Sequence, residues 1–138
     1  MRKGTFNFIE QILLDYKYID QHIEERFKIL CYPVVEYEDE NIGGSRGTAI
    51  SNPTERLALT ISDDVFIESL RRNKRAVNKV LRNLDPQAKK VIELYYFDVP
   101  RKYTWVGIAQ QCNYSEKQCR NIRNLVFERI AKELGLPI

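Results

Sequence analysis

The chain has little with which to build a cross-linked, metal-bound or catalytic protein. Its 138 residues include three cysteines, one histidine, six glycines and five prolines. Cys31, Cys112 and Cys119 are odd in number and form no Cys-x-x-Cys pair, so neither a disulfide framework nor zinc-ribbon spacing is available. His22 has no serine, cysteine or carboxylate arranged around it as a nucleophile set, and reads as a surface or boundary residue. The expectation is a protein without metal, cofactor or catalytic residues, and not an enzyme. Long apolar runs are also missing. The opening MRKGTFNFIEQILLDYKYID is interrupted by Glu10, Asp15, Lys17 and Asp20, which excludes both a signal-peptide core and the roughly 20 apolar residues of a membrane span. A cytoplasmic protein is expected.

Charge and helical periodicity are what the sequence has in abundance. Hydrophobic residues make up 43% and charged residues 30%, as in a folded domain. The net charge of +3 conceals an asymmetry: residues 1–70 hold 7 Lys+Arg against 13 Asp+Glu, a balance of −6, and residues 71–138 hold 15 against 6, a balance of +9. A basic carboxyl-terminal half attracts polyanions, because neutralised phosphates release condensed counterions.

The spacing predicts an all-α fold. Phe6, Ile9, Leu13, Tyr16, Ile19, Ile23, Phe27 and Leu30 recur at three- and four-residue intervals, so residues 1–32 read as one long amphipathic helix ended by Pro33. Residues 33–51 mix an acidic run with Gly43, Gly44 and Gly47 and read as a flexible linker. GGSRG lacks the Lys-Ser/Thr and the preceding strand of a phosphate loop. Within this linker Glu36, Glu38, Asp39 and Glu40 read first as a solvated loop, and second as a contact for host RNA polymerase. Residues 52–84 read as a second long helix, capped by Asn52 with Pro53 at its first position and striped by Leu57, Ile61, Val65, Leu70, Val77, Leu81 and Leu84. Arg71, Arg72, Lys74, Arg75, Lys79 and Arg82 give its later half a basic flank. Residues 85–138 read as a three-helix module. Asp85-Pro86 starts its first helix, Val91, Leu94, Tyr95 and Phe97 form that helix's apolar face, and Pro100 stops it.

The rest of the module has the spacing of a helix-turn-helix. Ala109 falls at the crossing, Ile108, Cys112, Tyr114, Cys119 and Ile122 at buried offsets, and Asn113 at the corner where a left-handed backbone is needed. Ser115 and Gln118 form a capping box that starts the second helix. With Cys119, Ile122, Val126 and Ile130 inward, Glu116, Lys117, Arg120, Asn121 and Asn124 face outward with donors and acceptors suited to base edges in a major groove. Arg101, Lys102, Ser115 and Arg123 are candidates for phosphate contacts. Trp105 reads as core rather than as a base-stacking residue.

Thr104-Trp105-x-Gly107-Ile108-Ala109, followed by Ile130-Ala131-x-x-Leu134-Gly135 and preceded by Gly43-Gly44 and Asn52-Pro53-Thr54, resembles the RinA-type phage transcriptional activators, related to the ArpU group. The last 50 or so residues are similar to the fourth-region helix-turn-helix of sigma factors. The resemblance implies a sequence-specific activator of phage late genes for packaging and morphogenesis, acting in the bacterial cytoplasm on double-stranded promoter DNA. It also implicates Glu116, Lys117, Arg120 and Asn121 in base reading. Glu116 and Asn121 depart from the family's arginine-rich helix start, which implies a different operator. A single module reads few base pairs, so a homo-oligomer on repeated half-sites is expected, with the first helix as its seam. The alternative function is a small terminase-like packaging subunit that binds DNA and oligomerises.

Overall fold

A computed structural model describes residues 1–32, 53–98 and 100–138. It is all-α: among the described residues there is no strand. The predicted cap at Asn52 and the acidic run 36–40 lie outside the described residues, as does the glycine linker. The chain divides into two compact units, one made of residues 1–19 with 71–138 and the other of residues 20–70. The division sharpens the charge asymmetry. The first unit carries 18 Lys+Arg against 8 Asp+Glu, a balance of +10, and the second carries 4 against 11, a balance of −7.

Both long helices of the sequence reading are broken. The first consists of α1 (Lys3–Asp15), a 3₁₀ turn (Tyr16–Tyr18) and α2 (Ile19–Cys31). A 3₁₀ turn winds at 3.0 rather than 3.6 residues per turn, so it rotates the apolar stripe without interrupting the count of residues between apolar positions. Tyr16, at the break, stacks on Phe97 with ring centroids 4.7 Å apart and donates its hydroxyl to Asn78 Oδ1.

The second long helix is α3 (Pro53–Ser62) and α4 (Val65–Arg82). Asp64 separates them by acting as a new cap: its Oδ2 accepts from the Ile67 N–H at 3.2 Å and its carbonyl accepts from the Glu68 N–H at 3.1 Å. Arg26 donates Nε and Nη2 to the two Asp64 oxygens at 3.1 and 3.0 Å. Those bonds hold the Asp64 carboxyl below the usual carboxylate range and the Arg26 guanidinium above its own ordinary value. Leu57, Ile61 and Val65 keep a four-residue interval across the break, which is why periodicity reads straight through it. Val65 itself is exposed, contrary to its expected place in the stripe.

In the first unit, Ile9, Ile12 and Leu13 of α1 join Val77, Val80 and Leu81 of α4 and Val126, Phe127, Ile130 and Leu134 of α7 (Glu116–Leu134) in one buried core. Thr5 Oγ1 donates to the Pro137 carbonyl at 2.6 Å and ties the start of α1 to the last residues of the chain. The apolar stripe of α1 is therefore consumed within its own chain.

α5 (Pro86–Ile92) begins as expected, with Asp85 Oδ1 accepting from the Gln87 N–H at 3.2 Å and Pro86 in the first turn. It then continues as a π-helical turn (Glu93–Phe97), closed by the Asp98 N–H on the Glu93 carbonyl at 3.0 Å. The wider turn shifts the inward register by a residue. Tyr96, absent from the predicted apolar face, is consequently fully buried, with Leu94, Tyr95 and Phe97 half-buried around it.

Candidate nucleic-acid interface

α6 (Trp105–Cys112) and α7 meet at a corner made by Asn113 to Ser115. Asn113 has φ 57° and ψ 34°, left-handed as its position requires, and its N–H and that of Tyr114 both close on the Ala109 carbonyl. Asn is one of the few side chains that tolerates this region. Asn113→Gly is expected to retain wild-type stability within a few tenths of a kcal/mol, whereas Asn113→Val is expected to cost about 1 to 2 kcal/mol in urea unfolding. Equal midpoints for the two variants would mean that the corner carries no backbone demand.

The two helices share a second core of Val91, Ile108, Ala109, Cys112 and Cys119. Burial pushes both thiols above their ordinary value, so they stay protonated and act as small apolar residues. Gly107 has a local reason: a Cβ there would lie 3.1 Å from Tyr103 Cδ1 and 3.2 Å from its Cβ, so the glycine lets the Tyr103 side chain lie against α6.

α7 starts at a capping box. Ser115 Oγ accepts from the Gln118 N–H at 3.1 Å, and Gln118 Oε1 accepts from the Ser115 N–H at 2.8 Å. Beyond it, Lys117, Arg120, Asn121 and Asn124 are exposed and Glu116 is half-exposed, while Cys119, Val126 and Ile130 are buried and Ile122 half-buried. Five candidate base-reading residues thus share the outer side of the first turns of α7. The adjacent first turn of this 19-residue helix also presents its partial positive end to the same space.

The candidate phosphate residues divide into two kinds. Lys102 and Ser115 are exposed. Arg101, which is also exposed, and the half-buried Arg123 are held on aromatic faces. Arg101 donates Nε to the Tyr95 carbonyl at 2.9 Å with its guanidinium 3.6 Å from the Tyr95 ring centroid, and Tyr95 stacks on Trp105 at 3.9 Å. The Arg123 guanidinium lies 5.4 Å from the Trp105 ring and 5.1 Å from Phe6, and donates Nε and Nη2 to Asn124 Oδ1 at 3.2 and 3.1 Å. Each arginine has five N–H donors, so these contacts orient it without exhausting it. Sequence reasoning missed this clasp of cations on rings; the only signal for it was the interleaving of Tyr95, Arg101, Trp105 and Arg123. Trp105 accordingly belongs to the packing beneath the candidate interface, against Tyr95.

Among the described residues no group of His, Cys, Asp and Glu is placed to hold a metal ion, and no helix is long and apolar enough to cross a membrane. No curated protein matches the chain, and no solved structure does. A family model matches residues 7–132, and the chain belongs to that family, DUF722, described as proteins of unknown function.

Proposed function

We propose that this protein is a sequence-specific binder of double-stranded DNA that inserts the first turns of α7 into a major groove and activates transcription. The observation that carries the reading is the row Glu116, Lys117, Arg120, Asn121 and Asn124, held outward by the left-handed corner at Asn113 and the buried Cys119. Lysine and arginine donate to guanine, asparagine pairs with adenine and glutamate accepts from cytosine, so the row offers partners for several bases. The +10 balance of the unit that contains it supports attraction to phosphate. The resemblance of Thr104-Trp105-x-Gly107-Ile108-Ala109 to RinA-type activators directs the proposal to phage late-gene promoters in a bacterial cytoplasm. The small footprint of one such module directs it to a homo-oligomer on repeated half-sites, and activation makes host RNA polymerase a partner.

Selection from a random-sequence duplex pool tests the reading. An enriched site is expected, bound by Lys117→Ala and Arg120→Ala more weakly by about 1 to 3 kcal/mol and with relaxed preference at particular base pairs. Lys102→Ala is expected to weaken selected and random duplexes alike. Equal losses at 117 and 120 on both kinds of duplex would remove direct base readout.

A further inference from the structure

A second basic surface lies in the same unit, away from the first turns of α7. The carboxyl-terminal half of α4 and the far half of α7 line an open groove of about 340 Å³, bounded by Lys79, Val80, Asn83, Arg129, Lys132 and Glu133. Lys79 pairs with Glu133 at 3.1 Å, but its side chain is 63% exposed, so the pair is screened and readily exchanged. Arg129 and Lys132 are exposed. Three cations, Lys79, Arg129 and Lys132, against one carboxylate, Glu133, therefore line the groove beside the exposed amide of Asn83. No core contact or cap requires them, in contrast to Arg72, which donates Nη2 to the Leu134 carbonyl at 2.8 Å.

Position along α7 constrains how a duplex held by its first turns could reach these cations. Arg129 and Lys132 follow Arg120 by nine and twelve residues, about 14 and 18 Å along the helix axis. A major groove is about 12 Å wide, so a helix reading it with its first turns leaves these cations outside that groove. Phosphates reach them only if the duplex on one side of the site curves back toward the protein, a deformation that added backbone contacts repay.

We propose that the α4–α7 ridge of Lys79, Arg129 and Lys132 holds the phosphate backbone of DNA flanking the site read by α7 and bends it. The inference rests on the proposed function and adds a second contact surface to it. The ridge is blind to sequence and its effect depends on duplex length.

The test compares the selected site embedded in duplexes of about 14 and about 36 base pairs, roughly one and a half and three and a half helical turns. For the full chain, the longer duplex is expected to bind more tightly and to migrate as a bent species in a circular-permutation gel assay. The triple variant Lys79→Ala/Arg129→Ala/Lys132→Ala is expected to bind the short duplex as the wild type does. On the long duplex it is expected to lose about tenfold or more in affinity, with a salt slope shallower by two to three and no bend. Unchanged affinity and slope on the long duplex would overturn the ridge, and so would an equal loss at both lengths, which would place these cations at the core site. If selection enriches no site, the base-reading proposal fails by itself. A loss by the variant on long but not short random duplexes would then still support the ridge.

Discussion

A chain lacking residues 1–15 is expected to lose its cooperative unfolding transition in thermal and denaturant titrations. Ile9 and Leu13 are wholly inaccessible and Ile12 nearly so, in the same core as Val126, Phe127 and Ile130 beneath the outward row of α7. Emptying one such aliphatic site costs about 2 to 5 kcal/mol, and three together rival the roughly 5 to 15 kcal/mol that holds an ordinary domain together. Phe6 would go as well, and with it the ring contact to Phe127 at 4.8 Å and the support under Arg123. DNA binding should disappear as well, because the proposed reading helix loses its platform. A truncated chain that unfolds at the native midpoint would show α1 to be an appendage. It would also leave the apolar stripe of α1 free to form the expected oligomer seam.

Phe127→Ala is expected to cost about 3 to 5 kcal/mol and to lower the melting midpoint by roughly 10 °C or more. The ring is fully buried between Phe6 and Tyr96, at centroid distances of 4.8 and 5.8 Å, where three elements distant in sequence converge. Leu125→Ala, two residues away but 43% exposed, is expected to stay within about 0.5 kcal/mol of wild type. Near-equal losses at 125 and 127 would contradict the placement of α7 over α1 and the π-turn. Below its own midpoint the Phe127 variant should recover wild-type DNA affinity, since its defect lies in stability and not in any contact with the duplex.

The corner and the caps were legible because each is a conversation between neighbours. Asn113 adopts the left-handed conformation that its place between two apolar patterns demands, and Ser115 and Gln118 bond each other's backbones across three residues. Asp85-Pro86 starts α5 for the same local reason. The break at Asp64 was equally local, yet the four-residue interval from Leu57 through Ile61 to Val65 masked it. A continuous stripe reads as a continuous helix, and the carboxylate of the cap that breaks it is fixed by Arg26, 38 residues earlier in the chain. Tyr96 was overlooked because one π-turn moves the inward face by a residue, and the count that finds amphipathic helices assumes that the pitch never changes.

Sequence by itself determined the all-α class, the helix-turn-helix corner, the outward row from Glu116 to Asn124 and the concentration of positive charge in the carboxyl-terminal half. All of these follow from side chains acting on backbone within a turn or two, or from simple composition. Only the tertiary structure decided that α1 belongs to the core under α7, that Arg101 and Arg123 rest on Tyr95, Trp105 and Phe6, and that cations from α4 and α7 border one groove. An apolar stripe or a charged side chain specifies what kind of surface it needs to meet. Which surface it meets depends on packing between segments far apart in the chain.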